Sequence, residues 1–362
     1  MGKDVKAYQS ASISLGAGTK AGMTFDEWKT IYGNGDPNFT EDTKITIAID
    51  GVDNHEFSYK NYYSFAVALG DSAKAYQRSS VAIGKDAKAY AWNAIAIGRN
   101  AIAGVSGFAN EGDAAIALGS NAKATKYRAM ALGEGTASGV SSLVLQSGNA
   151  IGTGSVAIKG IANGSGSIAI GPATANSGNS FAIGNDGTTA DNYNSFAIGR
   201  NAKSTADTSF SFGWNVTSSA TAALAVNEGT QALHKQSLAA GFYTKTGAQY
   251  QAVFGKYNEG KSNTVFEIGN GTYDTNRKNA FEVLTTGGFN SYGPAIINDS
   301  LTITSGGALI TGGARINGDL TVLNDNPLRV NKIRSLKTDS NLKLDSFVEA
   351  TEGLKVSSGK LT

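Results

Sequence analysis

A short string, Ser-x-Ala-Ile-Gly, returns along most of this chain at a nearly fixed interval. It stands as SSVAIG at residues 79–84, AIAIG at 94–98, AIALG at 115–119, AMALG at 129–133, SIAIG at 167–171, SFAIG at 180–184 and 195–199, and SFSFG at 209–213. Degenerate copies keep the register: SLVLQ at 142–146, SVAIK at 155–159, ALAVN at 223–227, SLAAG at 237–241 and QAVFG at 251–255. The last position of the string falls at 70, 84, 98, 119, 133, 146, 159, 171, 184, 199, 213, 227, 241, 255 and 269. Most steps are 13 to 15 residues, and the five from 199 to 269 are each 14. Self-similarity at so short a period marks a stacked-repeat architecture in which each unit contacts only its neighbours.

Each unit reads as two short strands and two turns. In Val81-Ala82-Ile83 the side chains alternate, so Val81 and Ile83 share one face and Ala82 takes the other. Gly84 ends that strand and permits a turn with positive φ; Gly98, Gly119, Gly133, Gly171, Gly184, Gly199 and Gly213 hold the same place. Asp86-Ala87-Lys88-Ala89 is a second alternating strand with its alanines on one face, and a Ser/Asn-rich turn leads into the next copy. Strands this short cannot cross an ordinary sheet, but they suit the rungs of a parallel solenoid, each ~4.8 Å above the last. The array is then expected to be roughly 65–70 Å tall at that spacing.

Composition reinforces this reading. Glycine supplies 46 of 362 residues, well above a usual share of ~7%, and much of the 41% hydrophobic content is alanine. Small side chains bury little apolar area, so an ordinary large core is not available. One coil encloses almost nothing. The larger apolar side chains form a stripe on one face: Val81, Ile83, Ile95, Ile97, Ile116, Leu118, Ile168, Ile170, Phe181, Ile183, Phe196, Ile198, Phe210 and Phe212. In a single chain that stripe would exceed the few hundred Å² of exposed apolar patch that monomers tolerate. Self-association of parallel chains about this stripe is therefore expected; the number of chains does not follow from composition.

The S-x-A-I-G-x-x-A-x-A repeat, over about residues 64–270, resembles the head repeats of trimeric autotransporter adhesins. The resemblance implies a left-handed parallel β-roll and a homotrimer of such rolls. Heads of this kind also occur in tail and head fibres of bacteriophages, and FEIGNGTYDTNRKNAFEVLTTGGF at 266–289 resembles a junction found in phage fibre proteins. The adhesin pattern's signal peptide, heptad stalk and C-terminal membrane barrel are not expected here.

The rest of the chain interrupts or follows the array. An early copy, SISLG at 12–16, is separated from Gly70 by a step of 54 residues, where one rung needs 14. The expected insert, 17–63, is a small α+β element. Thr24 caps a helix over 25–32, with Glu27 three residues on, and KITIAI at 44–49 is a strand. A second insertion, GVSGFANEG in the 98–119 step, reads as a loop leaving the roll with Phe108 near its tip. Beyond Gly269 the period changes, and 299–362 reads as short alternating strands joined by Gly-Gly, Asn-Gly and Asp-Asn turns. The expected organisation is 1–16 first rung, 17–63 insert, 64–270 head repeats, 271–298 junction and 299–362 a β-structured shaft or tip.

Several function classes fall away. Charge is balanced, 31 Lys+Arg against 29 Asp+Glu, without the basic excess of a nucleic-acid protein. No window of ~20 apolar residues would span a membrane as a helix. With no Cys, and only His55 and His234 far apart, no metal site, cofactor or nucleophilic triad is expected. Asp26, Glu27, Glu41, Asp42 and Asp53 are candidate carboxylates for a glycosidase, but they read as solvated charge, and no enzyme is expected. Recognition residues are expected in the insert and loop: Tyr59, Tyr62, Tyr63, Trp28, Tyr32 and Phe108. For Trp28, Phe39 and Phe57 a small core of the insert itself is the favoured reading, and Trp92 and Trp214 read as packing residues.

These expectations describe a phage tail or head fibre, extracellular on the virion. It would bind other virion proteins (tail, baseplate or capsid) at one end and a bacterial surface glycan or protein elsewhere. A bacterial cell-surface adhesin, a non-binding structural or decoration fibre, and a polysaccharide depolymerase spike are the alternatives.

Overall fold

A computed structural model describes residues 6–7, 13–15, 20–21, 45–49, 53–57, 65–105, 112–185, 187–294 and 296. The chain divides into two units, Met1–Ala295 and Ile296–Thr362. Among the described residues every regular element is a β-strand.

The first unit is a parallel β-solenoid. A three-residue strand such as Val81–Ile83 is followed by a two-residue strand such as Lys88–Ala89, and the pair repeats up the stack. The long strands pair in parallel with the same strand of the next rung: Val81 with Ile95, Ala82 with Ala96 and Ile83 with Ile97. The short strands build a separate 14-stranded sheet on the other wall, with Lys88 against Ile102 and Ala89 against Ala103. Backbone bonds run from rung to rung, as from Val81 N–H to the Ala94 carbonyl (2.9 Å) and from Gly98 N–H to the Ile83 carbonyl (2.8 Å). The strand Phe181–Gly184 takes in its glycine, and from Phe196 the long strands run past it, reaching five residues in Phe196–Arg200 and Phe210–Trp214.

The interior is lined by small side chains. Ala82, Ala96 and Ala117 of the long strands, with Ala87, Ala89, Ala101 and Ala103 of the facing wall, have no exposed surface. The two walls of one coil are too close for more than a methyl group at most rungs. Where the inner column carries Val144, the facing position is Gly135, and a Cβ there would lie 2.2 Å from Val144 Cγ1. Size is exchanged across the interior, as close packing requires.

The serine that opens the repeat closes its turn. Ser80 Oγ donates to the Gln77 carbonyl (2.6 Å), Ser167 Oγ to Gly164 (2.7 Å) and Ser180 Oγ to Ser177 (2.7 Å), each three residues back. All eight glycines singled out from the repeat have positive φ, from 78° at Gly171 to 158° at Gly184. At Gly199 (φ 136°) a Cβ would also lie 1.9 Å from the Gly213 carbonyl oxygen of the next rung. In the degenerate copies Gln146, Lys159 and Asn227 keep φ of 67°, 62° and 86°, which side chains other than glycine tolerate at some cost.

Both insertions leave the register intact. Ile13–Leu15 pairs directly with Val67–Leu69, and Lys20–Ala21 with Lys74–Ala75. Within the intervening segment, Ile45–Ile49 pairs antiparallel with Asp53–Phe57. Likewise Ile95–Ile97 pairs with Ile116–Leu118 across the long step. The expected helix at 25–32 and the expected shaft at 299–362 lie outside the described residues.

The parallel stack stops at Thr264–Asn270. This strand pairs in parallel with Ala252–Lys256 and antiparallel with Asn279–Leu284, which pairs antiparallel with Phe289–Ser291. Residues expected as a junction are therefore a β-meander continuous with the last rung.

Candidate functional site

Alternation in the long strands turns every residue beside an inner alanine outward. The first outward column runs from Val67 through Val81, Ile95 and Ile116 to Phe181, Phe196 and Phe210. The second runs beside it from Leu69 through Ile83, Ile97 and Leu118 to Ile183, Ile198 and Phe212. All fourteen stripe residues named from the sequence lie in these two columns, half-buried or exposed, while the alanines between them are buried. Ile97 and Leu118 keep 37% and 36% of their surface exposed. Higher in the first column the rings pack on one another: Phe181 and Phe196 lie 5.5 Å apart, and Phe196 stacks on Phe210 at 5.0 Å. The result is a continuous apolar face many rungs long, carried on a rigid hydrogen-bonded wall. Such a face is suited to packing against an identical face of another chain.

The C-terminal end of the roll carries a polar network that the sequence reading did not anticipate. Glu267 occupies the inner position held by Val253 one rung earlier and is fully buried. Its carboxylate accepts bonds from Asn258 Nδ2 (2.6 Å), Lys261 N–H (2.7 Å), Thr264 Oγ1 (2.8 Å), Gly260 N–H (3.0 Å) and Gln251 Nε2 (3.2 Å). Glu282, one strand further, meets Lys261 Nζ (2.5 Å), Asn279 Nδ2 (2.7 Å), Tyr292 OH (2.9 Å) and Asn290 Nδ2 (3.2 Å). Burial opposes its ionisation, but these bonds outweigh burial and bring the carboxyl down to about 2. Burial also works against the Lys261 ammonium, yet its contacts with Glu282, Tyr292 and Glu259 hold its pKa above the ordinary lysine value. One signal could have found Glu267: counting 14 residues from Val253 places it on the inner column.

The six expected recognition residues, Trp28, Tyr32, Tyr59, Tyr62, Tyr63 and Phe108, lie outside the described residues. The described residues on either side of Phe108 come close together: a Cβ at Gly112 would lie 2.4 Å from the Gly104 Cα. Trp92 packs as expected, its indole N–H donating to Gln77 Oε1 (3.1 Å). Trp214 does not: it is 45% exposed at the end of its strand, with the Arg200 guanidinium 5.3 Å from its ring. The five-residue strand carries it past the glycine and off the packed face. Among the described residues no group of His, Asp and Glu is placed to hold a metal ion, and no helix is long and apolar enough to cross a membrane.

YadA head domain repeats are detected in the chain. The matches cover residues 65–87, 77–101, 111–136 and 190–215, each on rungs of the roll. Between and beyond them the same two-strand rung continues in unbroken register, through Leu143–Leu145, Ile168–Ile170 and Leu238–Phe242. No curated protein matches the chain. In its repeats and its roll this part of the chain is similar to a YadA head domain.

Proposed function

We propose that three copies of the chain pack their outward apolar columns about a shared axis, and that the resulting fibre attaches a bacteriophage particle to a bacterial surface. The observation that carries the reading is the double column of Val, Leu, Ile, Met and Phe on the long-strand wall, which a lone chain leaves half-buried or exposed. The YadA head domain repeats support three as the number, because the heads they resemble are trimeric. Resemblance of the 266–289 meander to phage fibre junctions supports the particle setting. One end of the fibre would join tail, baseplate or capsid proteins, and the remainder would carry the surface contacts.

Attachment by such a fibre is multivalent. Three identical surfaces on one fibre, and several fibres on one particle, raise avidity above single-site affinity by as much as 10²–10⁴, an order-of-magnitude figure. No catalysis is part of this reading.

A second reading, a head on the bacterial cell surface, is favoured by the YadA head repeats themselves. Labelled antibody against the chain, viewed by electron microscopy, separates the two: decoration of phage particles supports the first and decoration of bacterial envelopes the second. Binding of the purified chain to intact bacteria tests attachment. Phe196→Asp, which places charge in the apolar column, is expected to lower apparent affinity by about a hundredfold through lost avidity. Equal binding by wild type and variant would contradict the multivalent mechanism, and release of oligosaccharides would show a depolymerase instead.

A further inference from the structure

At the C-terminal end of the roll, away from the apolar columns, a cleft of about 500 Å³ opens between the short-strand wall and the loop joining Thr264–Asn270 to Asn279–Leu284. Two tyrosines form its floor. Tyr243 and Tyr257 stand 14 residues apart in the column two places after the turn glycine, with rings stacked 5.2 Å apart and 10° from parallel. That column has left-handed backbone geometry, and earlier rungs fill it with residues that accept it: Asn100, Asn121, Asn201 and Asn215, at φ of 51° to 58°. Tyr243 and Tyr257 hold φ of 53° and 43°, where a bulky side chain is strained. The rung before Tyr243 has Gly229, and a Cβ there would lie 2.7 Å from the Tyr243 ring. The ring therefore lies flat over a glycine that makes room for it.

The wall of the cleft is fixed by Arg277. Its Nε donates to Asp274 Oδ1 (2.8 Å), its Nη1 to the carbonyls of Tyr243 (2.8 Å) and Asn258 (3.1 Å), and its guanidinium lies 5.6 Å from the Tyr257 ring centre. Facing this clamp are polar groups with no side-chain partner among the described residues: the Lys245 ammonium, the Gln231 amide and the two tyrosine hydroxyls. A concave site that presents the edges of stacked tyrosine rings and a few convergent polar groups without side-chain partners suits a saccharide, whose ring packs against the aromatic edges while its hydroxyls take the polar groups. Asp274 neutralises Arg277, which leaves Lys245 as the uncompensated charge of the lining.

From this geometry we infer that the cleft binds an acidic saccharide, with the sugar ring against the edges of Tyr243 and Tyr257, its hydroxyls on their phenolic oxygens and Gln231, and its carboxylate on Lys245. The inference rests on the attachment reading for its setting and gives that reading a ligand class and a place.

The test uses the full chain on an array of uronate- and sialate-bearing oligosaccharides, each beside its carboxyl-reduced counterpart, with affinities measured for single soluble ligands. The wild type is expected to bind acidic members and to bind the reduced forms at least about tenfold more weakly, the loss of one charge-assisted contact. Lys245→Gln and Gln231→Ala, on the outer face of short-strand positions, are each expected to weaken binding about tenfold with an unchanged melting temperature. Tyr257→Ala is expected to abolish it. No binding to any acidic member, equal binding to the reduced forms, or full binding by a Lys245→Gln/Gln231→Ala double variant would overturn the inference. Because single-site affinity is read, failure here would leave multivalent attachment through another surface standing. A monomeric mass would likewise leave this result unaffected.

Discussion

Glu267 and Glu282 stand directly opposite each other across the first antiparallel pair of the roll, and both are buried. Two facing carboxylates would repel strongly in such a place. Lys261 separates their demands: its backbone N–H serves Glu267 at 2.7 Å and its ammonium serves Glu282 at 2.5 Å. A stack of rungs otherwise ends in an open interior and an unpaired edge, and a polar end unit is the general remedy in repeat proteins. Here the alanine column gives way to Glu267, Glu282 and Asn290 in successive register positions, and the parallel ladder turns antiparallel over them.

Acid should weaken this end of the roll. The Glu282 carboxyl titrates at about 2 in the folded chain, below an ordinary glutamate near 4.3. Its folded pKa is depressed, so its contribution is fully present above the ordinary carboxylate range and is lost as pH falls from there toward about 2. Melting temperatures between pH 7 and pH 2.5 are expected to fall less for Glu282→Gln than for the wild type, with the variant less stable at neutral pH. An identical acid dependence in both would contradict the assignment.

The turn column separates glycine that is required from positions where it is optional. Gly199→Ala meets both a φ of 136° and the carbonyl of Gly213. It should cost about 3 kcal/mol or more. Gln146 holds a φ of 67° in the equivalent place, so Gln146→Gly should be neutral or stabilising by about 1 kcal/mol. Denaturant titration of the two variants checks the contrast, and equal effects would contradict it.

The two faces of the long-strand wall should respond differently. Ala182 is wholly buried between the walls, and Phe196 lies on the outward column. Ala182→Leu overfills the interior and should destabilise the roll by about 3 kcal/mol. Phe196→Asp should leave the circular dichroism of the roll intact while lowering the mass in solution. Loss of structure in both variants would mean that the outward column holds the single chain together.

Much of this was legible because one period carries the fold. Alternation in Val81-Ala82-Ile83 placed alanine inside and the larger side chains outside, and the 14-residue step set the register, even across the insertion before Ile116. What was missed shares a physical reason. Glu267 and Glu282 do not stand out in the sequence, because burial of an acid depends on donors that arrive from other rungs, such as Gln251 and Asn258. The cleft was not legible: the expected recognition residues lay in the insert and the 98–119 loop, and Tyr243 and Tyr257 were not among them. Their shared column was visible in the spacing, but the loop bearing Arg277 that walls them in was not.

The most direct measurement is the mass of the purified chain in solution, by light scattering during size exclusion, beside the Phe196→Asp variant. The chain has a mass of 37.2 kDa. Three times that value for the wild type, falling toward a single chain in the variant, is the expected result. A wild type that stays at 37.2 kDa, stable and monodisperse, would contradict a fibre built on shared apolar columns.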